Sequence, residues 1–266
     1  MIPPGDWDRL PSRIETTTRL LLSILEARGA RATFFALGWV AARHQDLVRE
    51  IRDRGHEVGV HGYLHRSVSD MTDEEFRADL RRARDAVEGA TGERVIGHRA
   101  ARWSLGGVPG GGRLGRASGV VTRALDVLIA EGVRYDSSLV PIVSIGDPSW
   151  PRDPYRIDRP AGSIQELPPL VGRVLGVRLL FGSGWALRRV PNRVLLREVA
   201  RRNRLGTPVV LDLHPWEIDP DPPRVDLPLK YRIAHYGGLP RFREKLEDLL
   251  DQLTCVPVRD YLTRPQ

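Results

Sequence analysis

The stretch VAARHQDLVREIRDRGHEVGVHG, residues 40–62, contains the unit from which the chain is built. Its first part carries apolar residues at helical spacing, Gly55 follows, and EVGV then reads as a short apolar strand. A glycine directly after a helix adopts the left-handed backbone conformation at little cost. The stretch therefore predicts a helix, a terminating glycine and a strand, in that order.

The same unit recurs along the chain, and Thr72 with Glu75 predicts a capping box at one of its helix starts. Further copies occupy residues 13–38, 72–100, 119–138 and 191–214, with helix-ending glycines at Gly29, Gly92, Gly132 and Gly206. Alternating helices and strands indicate a parallel sheet, because parallel neighbours need a crossover helix. With at least five units and no GxGxxG turn, the sequence predicts an α/β fold of the closed (β/α) barrel type.

Other stretches depart from this rhythm. Residues 105–118 are glycine-rich without a phosphate-binding lysine and predict a flexible insertion, and the proline-rich residues 140–172 predict a long loop over one barrel end. Residues 239–253 predict one more helix on the outside. No linker divides the chain, so we expect a single domain over residues 1–266 with a C-terminal extension from about residue 215.

Composition limits the class of protein. The 266 residues carry a net charge of +7, and the basic residues are almost all arginines scattered among acids, which indicates a solvated surface and predicts no nucleic-acid partner. No apolar run is long enough for a membrane span, and the N-terminus lacks a signal pattern. A lone cysteine, Cys255, suits a reducing compartment. We expect a cytoplasmic protein; the sequence does not predict its oligomeric state.

Polar side chains follow several of the predicted strands. His61 and His65 come after EVGV, Arg99 ends RVIGHRA, Asp136 follows VRY, and His214 ends TPVVLDLH. In a barrel of parallel strands, the carboxyl ends of the strands surround one mouth, where active sites collect. Each residue alone has a plainer interpretation, such as a surface histidine, a rim ion pair or a turn aspartate. Their shared placement favours a functional site.

Metal-assisted hydrolysis is the chemistry that this set supports. Two imidazoles, from His61 and His65, and one carboxylate would form the open ligand set of a catalytic zinc or another divalent ion. A second carboxylate would take a proton from the attacking water. His214 is placed to protonate the leaving group, and Arg99 to orient the base.

Three segments resemble motifs of the NodB-homology polysaccharide deacetylases, carbohydrate esterase family four. HGYLH (61–65) looks like the metal motif of that family, RAARWS (99–104) like its arginine motif and LDLHP (211–215) like its histidine motif. The segments 9–41 and 214–225 resemble the branch associated with exosortase-linked exopolysaccharide loci. The resemblance extends over nearly the whole chain.

The resemblance implies a deformed (β/α)7-type barrel and hydrolysis of N-acetyl groups on the amino sugars of a glycan. By it, the metal ligands are His61 and His65 and the general acid is His214. Arg99 would contact the base, and Asp136 corresponds loosely to the position that supports the acid. Substrate-binding roles fall on Trp103, Leu213 and Trp216, where Leu213 would line the acetyl pocket and the two tryptophans the sugar groove. Ala101 stands where the family usually has proline.

The first motif of the family, a strand ending in paired acids that supply the base and the third metal ligand, has no counterpart in this sequence. Asp6 and Asp8 lie in a proline- and glycine-flanked segment and are not expected to replace it. We expect the natural start to lie upstream and to supply this strand. If the base is truly lost, a non-catalytic polysaccharide-binding relative is the alternative, and an amidase acting on a small C–N substrate is another.

Overall fold

A computed structural model describes residues 7, 12–105, 114–174, 176–224 and 228–263. Its helices are α1 (Ile14–Glu26), α2 (Gly38–Arg43), α3 (Gln45–Asp53), α4 (Asp73–Thr91), α5 (Leu114–Ala130), α6 (Gly184–Arg189), α7 (Asn192–Asn203), α8 (Leu229–Tyr236), α9 (Phe242–Leu250) and α10 (Val258–Leu262). Its strands are β1 (Thr33–Ala36), β2 (Glu57–Val60), β3 (Gly97–His98), β4 (Tyr135–Asp136), β5 (Tyr155–Arg159), β6 (Gly162–Glu166), β7 (Val171–Val174) and β8 (Val177–Leu180). No helix within these ranges is long and apolar enough to cross a membrane.

The strands confirm the predicted α/β class. One sheet has the order β1-β2-β3-β4-β6-β5, in which all neighbours are parallel except β5 and β6. The residues Ala36, Val60, His98, Asp136 and Glu166 form one row across the sheet. The residues that follow this row therefore emerge side by side at the carboxyl edge of the parallel strands.

Two apolar clusters hold the helices against the strands. Val60 of β2, Val48 of α3, Leu80 of α4 and Leu128 of α5 belong to one cluster and are almost wholly inaccessible. The second cluster joins α1, α6, α7 and α9. Burying a leucine or valine side chain contributes about 1.5–3 kcal/mol, so these faces fix the positions of the strand ends.

Local signals in the sequence also hold in the structure. All five predicted helix-ending glycines have positive φ, and Gly92, at φ 69°, is the left-handed C-cap of α4. At the other end of α4, the Glu75 amide donates to the Thr72 hydroxyl over 3.2 Å, and the Thr72 amide donates to the Glu75 carboxylate over 2.9 Å. The predicted capping box is therefore confirmed.

Thr72→Ala should lower the free energy of unfolding by about 1 kcal/mol, because it leaves an amide at the start of α4 without its acceptor. Urea unfolding followed by circular dichroism measures the change. Thr16→Ala is the matched control, since Thr16 is exposed inside α1 and caps nothing. Equal losses in the two variants would contradict a capping role for Thr72.

Two sequence predictions are wrong and one falls partly outside the described ranges. Residues 140–172 contain the antiparallel strands β5 and β6, whose alternating burial was obscured by the neighbouring prolines. The predicted strand at 207–214 makes only a parallel bridge between Val210 and Pro169, because few of its backbone groups find partners in the described chain. Of the predicted insertion at 105–118, residues 106–113 lie outside the described residues, and α5 already begins at Leu114.

The edge of the sheet at β1 is open among the residues that the structure describes. β1 pairs with β2 alone, and all four of its residues are only half-buried, unlike the fully buried residues of β2. Residues 207–213 are likewise half-buried throughout. A closed ladder of strands is therefore not seen in this part of the chain.

Candidate active site

His61 and His65 lie together just beyond β2. The His61 amide donates to the Ala36 carbonyl over 2.9 Å, which places the residue at the end of the parallel pair. The centroids of the two imidazole rings are 5.0 Å apart. His65 has a φ of 56°, a conformation that a residue other than glycine adopts rarely and that recurs at functional sites.

The protonation of this pair suits metal binding. Nδ1 of His61 is 2.7 Å from the Arg99 carbonyl oxygen, so it carries the proton and leaves Nε2 with a free lone pair. Burial is the main factor that holds the pKa of His61 well below its ordinary value. Burial, with the charge of Arg102, lowers the pKa of His65 as well. Both imidazoles are therefore neutral near pH 7, the form that binds metal ions.

Arg99 is buried beside this pair and is held on every side. Its Nε donates to the Ser137 carbonyl over 3.0 Å and its Nη2 to the Ser137 hydroxyl over 2.8 Å, while Nη1 pairs with Asp212. The guanidinium carbon lies 4.6 Å from the ring centroid of Phe35 and 4.7 Å from that of Trp103. A planar cation between two aromatic faces has little freedom to turn, so its direction is fixed.

His214 stands at the rim with a buried carboxylate behind it. Its amide donates to Glu217 over 2.8 Å, and its Nδ1 is 3.4 Å from the same carboxylate. Glu217 is in turn paired with Arg188 over 2.9 Å, and the two side chains are 2% and 3% exposed. Desolvation works to lower the pKa of His214, but the hydrogen bond to Glu217 and the charges of Asp212 and Glu217 raise it on balance.

Asp136 supports a different histidine from the one expected. It is fully buried, its Oδ1 accepts from His98 at 2.7 Å and from the Ser138 hydroxyl at 2.8 Å, and the carboxylates that act on His214 are Glu217 and Asp212. The expectation that Asp136 supports the acid is therefore corrected. The cause is the register of the sheet, which places His98 and Asp136 in the same row and makes them neighbours.

The predicted substrate residues differ in their surroundings. Trp103 is half-buried next to Arg99 and packs on a small cluster that includes Val140 and Val171. Trp216 stacks on His235 with ring centroids 4.2 Å apart, and its ring lies 6.2 Å from that of His214. Leu213 is half-buried against the second cluster. The structure thus places one tryptophan beside Arg99 and the other beside His214.

The residues present fit a metal only in part. The orientation of His61, with Nδ1 bound to a backbone carbonyl, is the arrangement that metal-binding histidines commonly show. However, no group of three or more histidine, cysteine or acidic side chains suited to an ion occurs among the described residues. Asp6 and Asp8 lie outside those residues. The described chain therefore holds two histidines whose form suits metal binding, with no third such side chain grouped with them.

Sequence reasoning missed Asp212 and Glu217. Asp212 binds Arg99 and acts on His214, and Glu217 holds His214 directly. Asp212 lies two residues before His214 and Glu217 three residues after it. The signal available in the sequence was an acidic residue on each side of a histidine at the end of a predicted strand.

Two family models match parts of the chain. Residues 6–105 match the family model described as polysaccharide deacetylase. Residues 137–263 match a domain of unknown function, DUF3473. The first match contains His61, His65 and Arg99, and the second contains Asp212 and His214.

Individual proteins of similar sequence include peptidoglycan deacetylases. A peptidoglycan deacetylase of Helicobacter pylori is 23% identical over 184 residues, which cover 67% of this chain and 56% of that protein. A peptidoglycan-N-acetylglucosamine deacetylase of Bacillus cereus is 35% identical over 65 residues, covering 24% of this chain and 30% of that protein. The chain thus spans little more than half of the first relative and less than a third of the second.

Solved structures share the fold. A Mycobacterium smegmatis protein assigned to the polysaccharide deacetylases superposes with a TM-score of 0.61 at 21% identity, covering 94% of this chain and 81% of that chain. The PuuE allantoinase superposes with a TM-score of 0.55 at 18% identity, covering 94% and 74%. Residues 6–105 therefore resemble the polysaccharide deacetylase family, and the chain has the α/β fold of these solved structures.

Proposed function

We propose that the protein removes N-acetyl groups from the amino sugars of a poly- or oligosaccharide in a metal-dependent reaction. The observation that carries this proposal is the meeting of His61, His65, Arg99 and His214 at one edge of the sheet. The sequence-similar deacetylases of Helicobacter pylori and Bacillus cereus support the reaction class. The resemblance of residues 9–41 and 214–225 to exopolysaccharide-associated proteins favours an exopolysaccharide as substrate.

In this proposal His61 and His65 hold a divalent ion, zinc or another, which would polarise the acetyl carbonyl when bound. His214 donates a proton to the leaving amine from its place at the rim, oriented by Glu217. Arg99 presents a fixed positive charge beside the histidine pair. Trp103 and Trp216 offer aromatic faces to the sugar rings, and Leu213 lines the acetyl pocket. Residues 1–266 act as one domain, of which the part after about residue 215 is an extension.

Release of acetate from N-acetylglucosamine oligomers, with and without added zinc, tests this function. Acetate release that requires the metal is the expected result. Ammonia release without acetate, from a small C–N compound, would instead indicate the amidase. A chain that binds the oligomers without releasing acetate would be a polysaccharide-binding relative, an alternative favoured by the lack of a third ligand among the described residues.

The metal ligands are tested separately from turnover. His61→Ala or His65→Ala should weaken zinc binding at least about 100-fold, because loss of a mere outer-shell partner already costs about 10- to 100-fold. Mass spectrometry of bound metal and calorimetric titration measure the change. His44→Ala is the matched control, since His44 pairs with Glu15 at the surface. Unchanged zinc content in the His61 and His65 variants would refute the assignment.

A further inference from the structure

Five arginines gather where the β7–β8 hairpin meets the segment that leads into β5. Burial and the charges of four other guanidinium groups lower the pKa of Arg152. We call these five residues the arginine cluster: Arg152, Arg173, Arg178, Arg201 and Arg202. Two carboxylates pair with cluster members, Asp153 with Arg202 and Glu198 with Arg201 and Arg202. The cluster therefore keeps a surplus of positive charge.

Two members of the cluster stand directly opposite each other. Arg173 of β7 is the register partner of Arg178 of β8. Like charges at such positions destabilise an antiparallel pair. Arg178 is held by the backbone carbonyls of Pro141 and Pro148, whereas Arg173 is exposed and has no hydrogen bond or ion pair with any residue that the structure describes. An anion between the two side chains would remove the repulsion.

Two other members of the arginine cluster have guanidinium donors without an acceptor in the described chain. Arg202 is 3% exposed, and its buried Nη2 has no hydrogen-bond partner in the described chain. Arg152 is half-buried and has no hydrogen bond or ion pair with any residue that the structure describes. A buried guanidinium donor without an acceptor is costly, so these groups indicate a ligand that supplies oxygen atoms.

The cluster adjoins the candidate active site through the hairpin. Val171 and Leu180 are register partners and pack in the apolar cluster that includes Trp103. Arg173 and Arg178 are the next pair on the same face, because side chains alternate along a strand and paired residues share a face. Packing contacts therefore connect Arg99, through Trp103 and the pair Val171–Leu180, with the strands that carry the paired arginines.

We propose that the arginine cluster is a subsite that binds an anionic group, a carboxylate or a phosphate, carried by the glycan substrate. The inference rests on the proposed function for its identification of a glycan, and it narrows the substrate class to acidic amino-sugar polymers. Arg152 and Arg173 contact the anion, because neither has a hydrogen bond or ion pair with any residue that the structure describes. Arg178 fixes the hairpin, Arg201 adds positive charge, and the unpaired Nη2 of Arg202 is a further donor for the anion.

Binding to the chain of 266 residues tests the subsite without relying on turnover. The probes are a hyaluronan hexasaccharide, which alternates N-acetylglucosamine with a carboxylate sugar, and a neutral N-acetylglucosamine hexamer. We expect the double variant Arg152→Gln/Arg173→Gln to bind hyaluronan at least about 10-fold more weakly, since hydrogen bonds to charged groups are stronger than those between neutral groups. The affinity for the neutral hexamer should stay unchanged. Inorganic pyrophosphate is the phosphate probe, by competition against hyaluronan.

The matched control removes the same charge elsewhere. Arg49→Gln/Arg243→Gln deletes two exposed arginines that pair with acids on α3 and α9. This control should leave the affinity for the neutral hexamer unchanged and lower the affinity for hyaluronan only slightly. Arg173→Glu provides a variant that keeps the fold, because it places opposite charges across the hairpin. It should raise Tm by about 1 °C while weakening hyaluronan binding.

The outcomes distinguish a carboxylate from a phosphate as the bound group, and they distinguish the subsite proposal from the proposed function. Arginine-dependent hyaluronan binding without pyrophosphate competition assigns the subsite to a carboxylate sugar, and strong competition by pyrophosphate assigns it to a phosphate. Hyaluronan affinity that is equal in wild type and in the Arg152/Arg173 variants would overturn the inference. If binding depends on these arginines but no oligomer releases acetate, the subsite stands and the proposed function fails.

Discussion

His214→Ala should lower the rate of acetate release from an N-acetylglucosamine oligomer by about 100- to 10,000-fold, the range that a positioned general acid contributes. The expectation follows from the position of His214, which is bound to Glu217 through Nδ1 and leaves Nε2 directed away from that carboxylate. Because the imidazole side chain is 58% exposed, its removal leaves no buried cavity. The variant should therefore fold and melt like the wild type, which separates a chemical effect from a structural one.

The pH profile gives a second readout of the same histidine. A general acid works in its protonated form, so the alkaline limb of the rate follows the pKa of His214, which Glu217 and Asp212 raise. Glu217→Gln removes one of these charges, lowers that pKa and should move the alkaline limb to lower pH. His44→Ala, at the surface, should change neither rate nor profile. A His214→Ala enzyme with wild-type turnover would exclude the acid role.

The positions of the strand ends were predictable because their signals are local. A helix that ends at glycine and the short strand pattern EVGV place His61 after β2 without knowledge of the rest of the chain. Placing Arg99 next to it needs one more rule, that parallel strands carry their carboxyl ends at one edge. The structure joins His61 to the Arg99 carbonyl across that edge. The local pattern and the fold class together were therefore sufficient to predict that His61 and Arg99 are neighbours.

The partners of the carboxylates were not predictable, because they depend on register. A shift of one residue in β4 would send Asp136 to the other face of the sheet, and no pattern in VRYDSS fixes that choice. In the observed register Asp136 shares a row with His98, so it is used inside the sheet. The nearness of Glu217 to His214 could be read from their separation of three residues, but the turn Pro215–Ile218 decides that the carboxylate reaches the His214 amide. For Asp136 and His98, sequence separation was no guide.

The hairpins were missed for a related reason. Residues 140–172 contain several prolines, which argue for loops, yet those prolines flank β5 and stand between β6 and β7 rather than inside the strands. The alternation of Tyr155, Ile157 and Arg159 was the better signal. Missing the second hairpin, β7–β8, also concealed the arginine cluster, since Arg173 and Arg178 become neighbours only through their pairing. The role proposed for these arginines therefore depends on the β7–β8 hairpin, which brings Arg173 and Arg178 together.

The largest effect on stability should come from Glu217→Ala, which we expect to lower the free energy of unfolding by about 3–5 kcal/mol. Glu217 is the buried counter-ion of Arg188, and its removal would leave that guanidinium charged in an interior from which water is excluded. Arg188 also donates to the carbonyls of His235 and Gly237 over 2.6 and 2.9 Å, so it cannot easily turn to solvent. Urea unfolding of wild type and variant measures the loss.

A double-mutant cycle distinguishes loss of the ion pair from loss of packing. Arg188→Met/Glu217→Leu replaces both charges by apolar groups and should recover most of the stability, because the unpaired charge, rather than the missing contact, is what destabilises the single variant. Gly184→Ala should resemble the single variant in direction, since a Cβ at residue 184 would lie 1.9 Å from the Glu217 carboxylate and force it to move. A loss below about 1 kcal/mol in Glu217→Ala would match an exposed ion pair and contradict the buried one. Glu217→Ala and the double variant should both lose turnover even where stability is recovered, because the carboxylate that neutralises Arg188 is also the group that orients the acid. Gly184→Ala, which displaces this carboxylate without removing it, should lose less.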